Sequence, residues 1–446
     1  MAKKKVDLLE AQAQVEKYRA LVESHTSENV LELALSLRSL GRCLGELNHT
    51  ELAIQATEES VGLLRHLAKS GSEDRLADLA KSLNNLAVGL EDLGGREADA
   101  LEAMEETVYL FRQLAQRNPD QYASALGIAL MEITQNYSDV GRWDESASAS
   151  REAVEIFRAL MPKKPEKTRM LLGRSLYTLG KLQFHSNRYT QALEAFEEGE
   201  RFLRAAQPSE SKDVSKLALS LLWKSQALGN LSRLEEAHRS ILEAVGLLRH
   251  LTLAAPWDHR ADLAYALFYQ SQVYECMERK DEELKSLRES LACYRLLAKW
   301  EPTTYLAPLA KSLNYLGNCL RGLEKFEEAL PIAFESVEIR GRLADQDPDL
   351  YQPALPVGLN LLSKLLINLG RKVEALDAAE EATQVSRHLA SLVKGYKPLL
   401  AQSLSCHVGS LIELGRKDEA RKSIREAIEI NERYGYSTPP NEIDDR

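Results

Sequence analysis

Apolar residues recur along this chain at spacings of three, four and seven, the signature of helices with one buried face. The stretch from Thr303 to Pro348 shows the unit. Leu309, Leu313, Leu316 and Leu320 mark one amphipathic helix, Leu330, Ala333 and Val337 a second, and Lys325 lies at the hinge between them. A single hairpin of this kind cannot cover its own apolar faces, so it must stack against copies of itself. Those copies fill the sequence. The residue opening the second helix reads Ala53, Ala100, Ser146, Ala192, Ala237, Glu283, Ala329, Ala375 and Ala420, in steps of 45 to 47 residues.

Further columns keep the same register. Seven residues on stand Ser60, Thr107, Ala153, Gly199, Ala244, Ser290, Ser336, Ala382 and Ala427, all small. The first helix carries Gly41, Ala87, Thr134, Gly180, Ser225, Ser271, Gly317, Ser363 and Gly409. A leucine stands four residues before this column from Leu37 to Leu359; in the ninth unit Leu404 stands five before Gly409, leaving its register open by one. Small side chains at fixed places let helix backbones approach, and a leucine common to every unit is core. The pattern predicts an all-α fold, an α-α superhelix of antiparallel hairpins.

At the hinge the column is His49, Arg96, Arg142, Arg188, Arg233, Arg279, Lys325, Arg371 and Arg416, often preceded by Gly or Asn. That is helix-end chemistry, a left-handed residue closing the helix with a cation near its negative end. A second arginine column late in the second helices reads Arg19, Arg65, Arg112, Arg158, Arg204, Arg249, Arg295 and Arg387, with Gly341 and Glu432 the exceptions; it is expected to make ion pairs or carbonyl contacts between neighbouring units. Pro353 and Pro356 predict a late start or kink in the eighth first helix. Residues 7–24 match a second helix without its partner, either a cap or the trace of a longer protein. Nine hairpins over 28–436 follow, and 437–446 read as a polar tail.

The three small columns, the leucine and the paired helices resemble the tetratricopeptide repeat over essentially residues 7–435. The unit of about 46 residues is longer than the usual ~34, and HEAT repeats share that length, but three small contact columns fit the tetratricopeptide type better. The strings Ser82-Leu83-Asn84-Asn85-Leu86-Ala87 and Ser312-Leu313-Asn314-Tyr315-Leu316-Gly317 are similar to the long repeats of kinesin light chains. The units also resemble arrays attached to signalling ATPases and caspase-like proteases.

Charge and composition narrow the functions. A formal charge of −10 argues against general binding to nucleic acid or anionic membrane, and no apolar run reaches the length of a membrane span. Five cysteines without short spacings read as reduced thiols in a cytoplasmic protein. No P-loop, His-Glu-x-x-His, Cys-x-x-Cys pair or Gly-x-Ser-x-Gly occurs, and the histidines do not cluster. Carboxylate pairs such as Glu58-Glu59, Glu105-Glu106 and Glu380-Glu381 recur with the repeat and read as a solvated outer face. No enzyme and no cofactor are expected.

What remains is a groove. The resemblance implies that first helices line a concave side on which partner peptides lie. Three residues before the small column stand Arg38, Asn84, Tyr177, Phe268, Asn314 and Asn360, placed on the face turned away from the second helix. One residue after that column come Lys181, Asn318 and Lys364; Lys81 and Lys311 lie one turn earlier. Amides can hold an extended backbone without demanding a sequence, and the lysines attract acidic groups. Trp223 and Tyr269 add aromatic surface to units four to six, or equally fill gaps between hairpins. The expected partner is a protein or peptide with acidic and hydrophobic anchors. The alternative is the sensor arm of a larger signalling ATPase or caspase-like protease.

Overall fold

A computed structural model describes residues 2–22, 27–206 and 211–434. The expected polar tail at 437–446 and the last two residues of the expected N-terminal helix lie outside the described residues. Within them the chain is all-α, a solenoid of antiparallel helix hairpins with no strand. It divides into two compact units, Met1–Ala227 and Leu228–Arg446.

The first unit holds α1 (Ala2–Val22), then hairpins α2/α3 (Ser27–Gly45, Thr50–Ala68), α4/α5 (Glu73–Leu93, Glu97–Arg117), α6/α7 (Pro119–Asp139, Trp143–Leu160) and α8/α9 (Pro165–His185, Tyr189–Ala205). Helix α10 (Ser211–Asn230) runs across the division. The second unit continues with α11 (Leu234–Ala254), α12/α13 (Pro256–Cys276, Lys280–Trp300) and α14/α15 (Pro302–Gly322, Phe326–Gln346). A single turn α16 (Pro348–Tyr351) precedes α17/α18 (Leu355–Asn368, Lys372–Leu392) and α19/α20 (Lys397–Glu413, Lys417–Tyr434). Pro353 and Pro356 act as expected: a 3-10 turn, Gln352–Ala354, separates α16 from α17, so this first helix starts late.

The columns make the core. Every member of the column from Ala53 to Ala420 is buried, including Glu283, whose Oε2 accepts from Lys280 Nζ at 2.8 Å. The leucines from Leu37 to Leu404 are at most 2% exposed. Leu404 lies twelve residues before its hinge residue Arg416, as Leu313 lies before Lys325, so Leu404 is in register and Gly409 is the residue out of step. Where the column requires glycine the reason is contact: a Cβ on Gly180 would lie 2.6 Å from the Phe196 ring.

The hinges obey one rule. The residue before each hinge cation has positive φ: Asn48, Gly95, Gly141, Asn187, Ser232, Glu278, Glu324, Gly370 and Gly415. At eight of the nine hinges the following N–H reaches the carbonyl five residues back, for example Arg142 to Tyr137 at 2.7 Å and Lys325 to Leu320 at 2.9 Å. This is the Schellman closure. The hinge cation, however, is the N-cap residue of the next helix rather than a partner of the preceding helix's end. Arg96, Arg142, Arg233, Arg371 and Arg416 each bond the carboxylate three residues on, in that helix's first turn.

The carboxylate pairs Glu58-Glu59 and Glu105-Glu106 face solvent, as expected of an outer face, and they also tie successive helices together. Glu59 accepts from Arg19 of the preceding unpaired helix α1, while Glu58 lies 3.4 Å from Arg96 of the following hairpin. Glu106 and Glu105 do the same for Arg65 and Arg142. Adjacent residues on a helix point about 100° apart, so one dipeptide can serve both neighbours.

Candidate functional site

In the second unit α14 carries two faces. Leu309, Leu313, Leu316 and Leu320 are buried. Lys311, Asn314, Asn318 and Arg321, spaced three, four and three apart, form a polar stripe. This stripe lines a cleft of about 220 Å³ together with Lys364 and Leu361 of α17, Gln402 of α19, Arg340 of α15, and Glu275 and Lys280 near the α12–α13 hinge. Lys280 is engaged by Glu283. Lys311, Arg321 and Lys364 have no carboxylate partner among the described residues, in a protein whose other arginines are largely paired.

The polar atoms of the cleft are under-satisfied. Asn314 is 6% exposed and its Oδ1 has no hydrogen-bond partner; Arg321 Nε and Gln402 Oε1 are likewise buried without one. Buried polar groups are rarely left so, and several in one cleft point to something that completes them. Asn318 Nδ2 donates to the Asn314 carbonyl at 3.2 Å, leaving its own carbonyl oxygen for a ligand N–H.

An apolar cavity of about 510 Å³ adjoins this cleft, walled by Tyr265, Phe268, Tyr294, Leu343, Tyr351 and Leu399 among others. Lys311, Arg340 and Val357 line both spaces. Lys311 Nζ stands 5.7 Å over the Phe268 ring, which itself meets Tyr315 edge-on at 4.8 Å. Burial pushes the Tyr294 phenol well above its ordinary range, so it stays protonated.

Thus the structure gathers Lys311, Asn314, Asn318 and Lys364 in one cleft and puts Phe268 in the cavity beside it. The expected open face for the column of Asn314 is corrected: Tyr177, Phe268, Asn314 and Asn360 are all at most 7% exposed, covered by neighbouring helices. Asn360 Nδ2 donates to Ser403 Oγ of α19 at 3.1 Å, and the residue does not line the cleft. Tyr269 packs its hydroxyl against Gly229, where a Cβ would lie 2.5 Å away.

The remaining residues lie in the first unit. Arg38 bonds Asp78 at 3.1 Å, Lys81 stands 4.0 Å from the same carboxylate, and Asn84 is half-buried on α4. Lys181 Nζ sits 5.9 Å from the Tyr177 ring and 5.4 Å from Trp223, and Trp223 packs edge-on against Phe184 and His185. Burial lowers the pKa of the Lys181 ammonium. This is a cation–aromatic cluster of its own.

Arg321, Arg340 and Gln402 were not singled out from the sequence. Arg321 had a signal, since it extends the α14 stripe by three residues. Arg340 had a stronger one. Its column reads Leu64, Phe111, Phe157, Leu203, Leu248, Tyr294, Arg340, Ser386 and Asn431, so a guanidinium follows six large apolar side chains and opens the polar end of the column.

Comparison with known proteins follows this architecture. The profile described as Tetratricopeptide repeat matches residues 410–434. The profile described as Anaphase-promoting complex subunit 5 matches residues 11–124, 109–161, 163–231 and 342–393, together more than half of the chain. One profile returning at successive segments marks a repeat. No curated protein sequence matches.

Among solved structures, a Signal Transduction ATPase with Numerous Domains carrying a tetratricopeptide repeat sensor, from Pyrococcus horikoshii, is 13% identical with a TM-score of 0.52. The match covers 85% of this chain and 53% of that one, so this chain spans about half of the archaeal protein. A Rap protein complexed with Competence and Sporulation Factor is 11% identical, covering 92% of this chain and 99% of that one, with a TM-score of 0.42. A kinesin light chain-like repeat protein from Podosopora anserina is 16% identical over 48% of this chain and 93% of its own, with a TM-score of 0.36. At these identities the likeness concerns the fold.

Proposed function

This chain belongs to the tetratricopeptide repeat family, and on that premise we propose that its second unit binds a protein or peptide segment in the cleft of α14, α17 and α19. One observation carries the reading: three cations without a carboxylate partner among the described residues, Lys311, Arg321 and Lys364, line the same cleft as Asn314, whose buried amide oxygen has no hydrogen-bond partner. Asn314 and Asn318 offer acceptors to backbone N–H groups, the cations hold an acidic group, and the adjoining cavity takes an apolar side chain. The protein works as an interaction scaffold and performs no reaction of its own.

Selection from a displayed random peptide library tests this. The wild-type chain should enrich a peptide family, and Lys311→Ala with Lys364→Ala should abolish enrichment while helicity by circular dichroism is unchanged. Failure to enrich any family sinks the reading.

The Pyrococcus horikoshii neighbour's sensor array favours a second reading, the sensing arm of a larger signalling ATPase. An antibody to this chain would then detect, in native extract, a polypeptide well above 50.0 kDa. A single band at that mass excludes it.

A further inference from the structure

The hinge between α8 and α9 departs twice from the charge pattern of the array. Seven of the nine hinge cations have a carboxylate three residues on; His49 has Leu52 there and Arg188 has Gln191. A second carboxylate reaches several hinges from the preceding second helix. Glu58 stands 3.4 Å from Arg96, Glu105 2.8 Å from Arg142 and Glu380 4.0 Å from Arg416. Each stands five residues after the residue that opens its helix, in a column with glutamate in four units, arginine in three, and Leu242 and Phe334. The member in α7 is Arg151. Arg288 of the same column is met by Glu328, three residues past the hinge residue Lys325. Gln191 stands at the corresponding place after Arg188, so both sources of a carboxylate are replaced at this one hinge.

Arg151 and Arg188 line one cavity of about 420 Å³ between α7, α8 and α9. Arg151 Nε donates to the Ala147 carbonyl at 3.0 Å. Neither guanidinium makes an ion pair among the described residues, and that of Arg188 makes no hydrogen bond among them. Gln183 lines the same cavity, and its Oε1 is buried without a hydrogen-bond partner. Polar groups left in this way point to something that completes them.

We infer that this hinge of the first unit is a docking site for an acidic segment of a partner protein. One carboxylate of the segment bonds Arg151 and Arg188, in the role that Glu105 fills for Arg142, and a backbone N–H of the same segment donates to Gln183 Oε1. Arg151, Arg188 and Glu194 leave the cavity one positive charge, which a carboxylate cancels and a phosphate dianion overshoots. A peptide also brings the N–H donor that Gln183 needs, which a phosphate dianion lacks.

The test uses the full chain carrying Lys311→Ala and Lys364→Ala, so that those lysines of the second unit add nothing to the signal. Three pools of fluorescent decapeptides, otherwise random and uncharged, hold a central Glu, Gln or phosphoserine. The Glu pool should be retained on the order of 10-fold better than the others, the low end for a hydrogen bond to a charged group because both arginines are exposed. Arg151→Glu, which restores the commonest residue of its column, should pair with Arg188 and lose that preference with an unchanged or higher thermal midpoint. Arg188→Gln should lose it too, with helicity unchanged.

Equal retention of the Glu and Gln pools overturns the inference, as does a preference that survives in both variants. Retention of the phosphoserine pool equal to or above that of the Glu pool overturns the choice of a carboxylate. A lower thermal midpoint for Arg151→Glu makes the arginine structural and overturns the inference. Sedimentation showing a dimer that Arg151→Glu dissolves makes the occupant a second copy of this chain, and overturns it as well. The cleft of the second unit stands or falls separately, on library enrichment by the chain that retains Lys311 and Lys364.

Discussion

Arg249 and Glu289 lie forty residues apart in sequence and meet fork to fork, Nε to Oε1 at 2.9 Å and the terminal nitrogen to Oε2 at 2.5 Å. The same spacing joins Arg65 to Glu106, Arg112 to Glu152, Arg158 to Glu198 and Arg295 to Glu335, within one residue. These pairs are a ladder between successive second helices, repeated because the hairpin is repeated. Each is about half exposed, so each contributes little alone, roughly 0.2–1 kcal/mol. A double-mutant cycle on Arg249→Ala and Glu289→Ala should give a coupling energy of that size. It should fall toward zero in about 1 M salt, where screening reaches ~3 Å.

One rung of the ladder is missing. Gly341 stands forty residues before Glu381, where its neighbours have arginine. Gly341→Arg should stabilise the protein by about 1 kcal/mol, through the gain in helix propensity over glycine and one added ion pair. The urea midpoint reports it.

The hinge rule makes a separate prediction. Glu324 adopts φ 59°, a left-handed conformation that four other repeats assign to glycine, and its side chain is exposed. Glu324→Gly should relieve about 1 kcal/mol of backbone cost, where the same change in a helix interior would destabilise. A rise in urea midpoint with unchanged slope is the expected outcome.

Two helical glycines should respond with opposite signs. Gly62 in α3 has open space where a Cβ would go, and Gly62→Ala should stabilise by roughly 0.5–1 kcal/mol. At Gly180 the Cβ would lie 2.6 Å from the Phe196 ring, so Gly180→Ala should cost about 1–3 kcal/mol as overpacking. Thermal unfolding of the two variants decides between contact and propensity.

His238 gives the pH dependence. Burial first, then the neighbouring Arg279, holds its imidazole below the ordinary value of 6.5. Arg279 can only donate, so His238 Nε2, at 3.2 Å from it, accepts and the ring is neutral. The unfolded chain therefore takes up the proton before the folded one. Stability is fully present above about pH 6.5 and falls as pH drops below it. His238→Gln should flatten that part of the stability profile, measured by urea titration between pH 5 and 8.

Much of this architecture was legible from the sequence because a stacked repeat writes its core many times over. Nine copies of a small residue or a leucine at one register average away local ambiguity, and the buried column from Leu37 to Leu404 is the result. The cleft was legible only in part. Lys311, Asn314, Asn318 and Lys364 departed from the repeat and do line it, but departure alone did not separate them from Asn360, which bonds Ser403 in the interior.

A sequence gives the angle at which a side chain leaves its helix, and with it the hairpin, the columns and the hinges. It does not give which neighbouring helix covers that angle. Stacking buried Asn360 and Asn314 alike, each with an unpartnered side-chain oxygen, but set only Asn314 in the cleft; it paired Glu58 and Glu59 to different neighbours and placed the buried Arg340 in a wall shared by two cavities. These depend on contacts between residues about forty apart, fixed only when successive hairpins pack.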